Sequence, residues 1–298
     1  MHLPTAVNRL ATRALVAPLL SSTLPLPFRR RGLDLVGAGL PLPRGTRRAR
    51  GELGGVPTEV LAPPGPFGPH RVLYLHGGGY LVGSSASHRP LLAGLAHATG
   101  TPVHAPAYRL APEHPFPAGL DDALAAWRAL RAAGHPARRI ALAGDSAGGG
   151  LALALLLRLR AEGEDLPGAI GLISPWVDLS CTADALSRNA ASDAMLDPAW
   201  LAAAVADYAP DGTGAPELRP LDADLSGLPP LHVVAGADEV LVDDADALVE
   251  RARAAGTPVS YHRAEGMWHA FPTLAGSLAE ADDALRALGL ALRAACAR

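Results

Sequence analysis

Residues 139–159 read RIALAGDSAGGGLALALLLRL. A short apolar run, Arg139 to Ala143, ends at a glycine, and an apolar stretch of helical length opens near Ser146. Gly144-Asp145-Ser146-Ala147-Gly148 between them fits G-x-S-x-G in a strand–turn–helix context. A serine on so sharp a turn stands with its hydroxyl above the end of the sheet. Neighbouring backbone crowds such a turn, and Gly144, Ala147, Gly148, Gly149 and Gly150 leave it room. The start of the following helix favours negative charge developing nearby. Ser146 is therefore the candidate nucleophile. The competing reading, an ordinary N-capping serine in a glycine-rich turn, does not account for the strand and helix on either side.

The same alternation continues outward from this turn. Arg71 to His76 (RVLYLH) reads as a strand running into glycines, Arg89 to Ala98 as a helix, and Thr101 to Ala107 as extended chain. Ala118 to Ala133 carries Leu120, Leu124, Trp127 and Leu130 at helical spacing. Strands follow at Ala169 to Ser174, Leu231 to Ala235 and Val259 to Arg263, with helices at Ala245 to Ala255 and Ser277 to Ala297. Such alternation specifies an α/β fold, a mostly parallel sheet with helices on both faces. Ligands in such sheets bind beyond the carboxyl ends of the strands. Residues 41–70, rich in proline and glycine, read as irregular chain around one or two edge strands, with Val56 to Leu61 a candidate strand stopped by Pro63-Pro64. Residues 178–215 break the alternation and contain a helix near Pro198 to Asp207. The expected division is an N-terminal cap segment, residues 1–45, and a catalytic domain, residues 46–298, with a cap insertion at about 178–215. An amphipathic helix over the site is expected within residues 5–20.

Two further loops complete the chemistry. His76-Gly77-Gly78-Gly79 ends a parallel strand, where side-chain-free backbone lets N–H groups approach an oxyanion. Gly77, Gly78 and Gly79, two of them donating, are the candidates, together with the amide of Ala147. His76 reads as structural. No GK[ST] and no complete G-x-G-x-x-G follows, which argues against a phosphate cradle. An acid and then a histidine follow the serine in this order of elements. Asp238, just past the strand Leu231 to Ala235, is the expected acid, with Glu239, Asp243 and Asp244 as competitors. His269, on a loop before the last helix, is the expected base; His262 lies within a strand.

Composition narrows the classes. The 298 residues are 49% hydrophobic and 18% charged, enough apolar material for a large core, with a formal net charge of -3. No basic cluster interleaves with aromatics, so nucleic acid is not an expected partner. Every basic residue besides histidine is arginine, which excludes a lysine Schiff base or a Ser-Lys dyad. Cys181 and Cys296 fit neither a disulfide framework nor a metal site and suit a cytoplasmic protein. The apolar stretch Leu15 to Leu26 is shorter than the ~20 residues of a membrane span and is interrupted by Pro18 and Pro25. Its arginines follow it rather than precede it, unlike a signal peptide. No stable membrane anchor is expected, and a homodimer through the last helix or an edge strand is a possible assembly.

HGGG at 76–79, YRLAPEHPFPA at 108–118, GDSAGG at 144–149, SPWVDLS at 174–180, Asp238 in ADEVL and MWHAF at 267–271 stand in register. Together they resemble the bacterial hormone-sensitive-lipase-like esterases, a family of α/β hydrolases, over roughly residues 70–290. The resemblance implies an eight-stranded sheet, a mobile helical cap, no cofactor, and hydrolysis of short- to medium-chain acyl esters through an acyl-enzyme. It also implies structural roles for Tyr108, Arg109 and Glu113. The family's acid is often followed by Pro-Leu, whereas Glu239-Val240 follows Asp238. An amidase or lipase with the same triad is the alternative activity. A small-molecule receptor on this fold is disfavoured by the presence of His269.

Overall fold

The computed structural model describes residues 2–297. Its strands are β1 (Arg47–Leu53), β2 (Val56–Ala62), β3 (Arg71–Leu75), β4 (Val103–Pro106), β5 (Ile140–Asp145), β6 (Ala169–Ile173), β7 (Leu231–Gly236) and β8 (Val259–Ala264). They form one sheet in the order β1-β2-β4-β3-β5-β6-β7-β8. β2 is antiparallel to both β1 and β4, and every other pairing is parallel. β5 and β6 are buried at every residue, as parallel strands covered on both faces must be.

The helices are α1 (Thr5–Ala11), α2 (Leu26–Gly39), α3 (Arg89–Thr99), α4 (Ala118–Ala132), α5 (Ala147–Ala161), α6 (Ala185–Arg188), α7 (Pro198–Tyr208), α8 (Val242–Ala254) and α9 (Ala279–Cys296). α3 packs on α9, and α4 packs on α5. Among the described residues no helix is long and apolar enough to cross a membrane.

Two elements escape the sequence pattern for physical reasons. β1 (RRARGEL) is exposed at all but its last residue, so it lacks the alternation that marks a half-buried strand. α2 begins at Leu26 with a proline in its first turn; Pro25 reads as an interruption, yet proline suits a helix start, where its missing N–H costs nothing. Residues 5–20 are helical but not uniformly: α1 widens into a π-turn at Thr12–Val16 and tightens into a 3-10 turn at Ala17–Leu20.

The central constraint sits where β5 meets α5. Ser146 has φ 52° and ψ -125°, a left-handed conformation unusual for a residue with a side chain. Its amide donates to the Ile173 carbonyl, and its carbonyl accepts from the amides of Gly149, Gly150 and Trp176. The start of α5 therefore lies against the sheet with no side chains between. A Cβ on Gly148 would fall 2.1 Å from the Leu75 carbonyl oxygen, and one on Gly144 2.3 Å from that of Gly148. These neighbours are backbone and cannot swing aside. Gly148→Ala is expected to cost about 1–3 kcal/mol or more, as overpacking does, measured by urea unfolding; wild-type stability would contradict this reading of the elbow.

Candidate active site

A cavity of about 80 Å³ opens onto Ser146 and His269. Gly78, His88 and Asp145 line its polar end. Val16, Leu20, Leu33, Val36 and Leu40 from the N-terminal segment line the rest, with Met195, Leu196 and Trp200 from the stretch after β6 and Leu274 from the loop before α9. The inner face of the N-terminal helices and the segment containing α7 thus form an apolar wall over the carboxyl ends of the strands.

His269 lies on the loop after β8, followed by Ala270 in a left-handed turn at φ 47°. The ring is buried, and its Nδ1 faces Glu239 Oε1 at 3.8 Å. Neither atom has a hydrogen-bonding partner elsewhere. Burial alone would lower the imidazole's pKa, but the Glu239 carboxylate, with Asp193 and Asp145 further out, raises it above the ordinary 6.5. Glu239 is fully buried and fixed through its other oxygen, which accepts from the Ser174 hydroxyl at 2.6 Å and the Gly236 amide at 2.8 Å. Ser174 Oγ also accepts the amide of Ala270 at 3.0 Å, so one hydroxyl holds both the carboxylate and the histidine loop. Ser174 went unrecognised as a site residue; its only signal was membership of the SPWVDLS segment.

The structure does not pair Asp238, the expected acid, with His269. Its carboxylate points away from His269 and pairs with the Arg9 guanidinium of α1 at 2.9 Å, with about a third of the side chain exposed. Arg9 also donates to the carbonyls of Gly266 and Ser192 and lies over the Trp268 ring. One arginine thus ties the N-terminal helix to the loops carrying Glu239 and His269. Glu239, weighed as a competitor, is the carboxylate that meets the imidazole. Glu239-Val240-Leu241 also fits acid–x–Leu better than Asp238 does. Of the other competitors, Asp243 pairs with Arg188, and Asp244 accepts the amides of Val177 and Asp178. His262 is exposed on β8.

The glycine loop is held by the residue before Ser146. Asp145 Oδ1 accepts the Gly77 amide at 3.0 Å and the Tyr74 hydroxyl at 2.9 Å. That occupies the N–H of Gly77. Among the described residues, the amides of Gly78 and Gly79 donate to no other protein group. Gly78 (φ 120°) and Gly79 (φ 61°) adopt backbone that favours glycine. A Cβ on Gly79 would lie 2.6 Å from the Trp200 ring, which seats α7 on this loop. His76 is buried, stacked on Tyr108 at 4.4 Å, with its pKa pushed down to about 4 by burial. Tyr108 donates to the His76 carbonyl, Glu113 takes a bidentate pair from Arg30 of α2, and Arg109 pairs with Asp122. Among the described residues no cluster of His, Cys, Asp or Glu is arranged to hold a metal ion.

A family model described as the alpha/beta hydrolase fold matches residues 72–273. The chain belongs to the α/β-hydrolase fold family. An acetyl-hydrolase of Streptomyces hygroscopicus is 44% identical over 225 residues, 75% of each chain. The carboxylesterase/phospholipase LipF of Mycobacterium tuberculosis is 34% identical over 99% of this chain and 83% of its own. A crystal structure of an esterase from the bacterial hormone-sensitive lipase family superposes with a TM-score of 0.93, at 38% identity, covering 99% of this chain and all of that one. The hydrolase is a member of this hormone-sensitive-lipase-like group and a carboxylic ester hydrolase.

The two adjacent carboxylates make opposite predictions. Glu239→Gln is expected to lower kcat on the order of 10²–10⁴-fold, as loss of a triad acid does, whereas Asp238→Asn stays within about tenfold of wild type, as for a partly exposed ion pair. Without the Glu239 charge, burial dominates and the His269 pKa falls. The acid limb of kcat/KM, above pH 6.5 in the wild type, therefore moves to lower pH in Glu239→Gln. The reverse ranking of the two variants would restore Asp238.

Proposed function

We propose that this ester hydrolase is a serine carboxylesterase acting on short- to medium-chain acyl esters through Ser146, His269 and Glu239. The observation that carries the assignment is the buried His269–Glu239 pair opening into the same cavity as Ser146 at its strained turn. His269 Nε2 takes the Ser146 proton as Oγ attacks the ester carbonyl, and Glu239 holds the imidazole with Nδ1–H toward it and stabilises the imidazolium. The tetrahedral oxyanion is met by the amides of Gly78, Gly79 and Ala147, with Gly77 set aside as the clamp to Asp145. His269 then protonates the leaving alcohol, an acyl-enzyme remains on Ser146, and water attacks it by the same route.

Residues 1–45 and 178–215 act as the cap in this reading, and their aliphatic lining and the small cavity support short acyl chains. Two free cysteines fit a cytoplasmic setting.

Hydrolysis of p-nitrophenyl esters from acetate to palmitate tests this reading. Activity should peak at short chains and fall by at least about 10⁴-fold in Ser146→Ala, as removal of a serine nucleophile does. Retained activity in that variant would remove Ser146 from the mechanism.

A further inference from the structure

Beside the glycine loop lies a second buried histidine–carboxylate pair that the acyl-transfer steps leave unused. His88, at the N-terminus of α3, is 8% exposed, and Asp145 is 2% exposed. His88 Nε2 stands 3.2 Å from Asp145 Oδ2, the carboxylate oxygen not engaged by Gly77 or Tyr74. His88 Nδ1 faces the Ser84 carbonyl at 3.0 Å and Ser87 Oγ at 2.9 Å. The Ser84 carbonyl can only accept, and the Ser87 hydroxyl, which also reaches that carbonyl at 2.9 Å, is free to accept from Nδ1. A carboxylate at Nε2 can only accept as well. With acceptors on both sides, each ring nitrogen is placed to donate, as in an imidazolium.

The surroundings agree. Asp145 from β5 is the charge in contact, and Asp34 of α2, bonded to the Ser84 hydroxyl, adds a second negative charge. The His76 ring, 5.6 Å away at the end of β3, faces it with a pKa pushed down to about 4 by burial and by His88 itself. Burial lowers the His88 pKa, but Asp145, with the Ser84 carbonyl and Asp34, turns the net shift upward. Burial raises the Asp145 pKa, and His88 and Tyr74 reverse that. A cation at a helix N-terminus is unfavourable toward the helix itself, so Asp145, not α3, accounts for the charge there.

We propose that His88 is a positioning residue for the oxyanion loop, its imidazolium fixing the Asp145 carboxylate so that Oδ1 holds the Gly77 amide and the next two amides are turned toward the cavity. This rests on the reading of Gly78 and Gly79 as oxyanion donors. His88 touches no reacting atom in this scheme; it acts through Asp145. Loss of its proton leaves Asp145 as a buried carboxylate without a counter-charge, and the clamp on Gly77 loosens. kcat therefore has an alkaline limb belonging to His88, distinct from the acid limb belonging to His269.

The test is the pH dependence of kcat and KM for a p-nitrophenyl ester in wild type, His88→Gln and Ser146→Ala, with the active fraction counted by a serine-reactive phosphonate. The wild type should lose kcat on an alkaline limb as one proton is lost. His88→Gln should lower kcat per titrated site by about 10–10²-fold, a part of the 10²–10³ that loss of a whole oxyanion donor costs. KM should hold within about twofold, the acid limb should be kept and the alkaline limb should vanish. A wild-type kcat flat to high pH, or a His88→Gln enzyme with wild-type kcat and alkaline limb, would overturn the proposal, the first even if the variant failed to fold. An active Ser146→Ala would instead overturn the underlying reading.

Discussion

Everything at this site depends on bare backbone contact between the start of α5 and the ends of β3 and β5. Gly148 lies so close to Leu75 and His76 that a methyl group would overlap their carbonyls. That contact keeps Ser146 in a left-handed turn with its hydroxyl at the cavity. It also brings Asp145 beside the glycine loop, close enough for Gly77 to donate to it. One close approach therefore places Ser146, the proposed nucleophile, and orders the loop, with the helix N-terminus directed at the cavity, where it favours negative charge.

Around this turn the loops are fastened by buried carboxylates that accept from donors on other loops, with Glu239 Oε1 left facing the His269 imidazole. Asp145 takes Tyr74, Gly77 and His88. Glu239 takes Ser174 and Gly236 and faces His269. Asp193 takes the amides of Met195 and Val240, and Asp244, pushed up to about 7 by burial, takes those of Val177 and Asp178. A buried carboxylate is costly unless its oxygens are filled, so each one penalises displacement of the loops it joins. Asp193 and Asn189 bind the backbone beside Glu239, so the segment carrying α6 and α7 both walls the cavity and holds the acid loop. Arg9 performs the same service from the N-terminal side.

Most of the fold was legible because apolar periodicity and glycine punctuation are local signals. The parallel strands and the helices after them fall within a few residues of their expected positions, as do the serine turn and the histidine loop. The acid is the instructive exception. Asp238 and Glu239 are adjacent acids on a loop, and no periodicity tells which side chain turns inward. The choice is made by groups distant in sequence, Arg9 drawing Asp238 outward and Ser174 holding Glu239. Likewise, the glycine of HGGG whose amide is already engaged is set by Asp145, visible only once β3 and β5 lie side by side. α2 and β1 were hidden by prolines and by exposure on both faces.

The most direct measurement is to treat the enzyme with a p-nitrophenyl alkylphosphonate, follow loss of ester hydrolysis, and map the labelled peptide by mass spectrometry. The expected result is one phosphonyl group per chain, on Ser146, with activity lost in proportion to labelling. A label on another residue, or full hydrolysis by fully labelled protein, would contradict the assignment of Ser146 as the nucleophile.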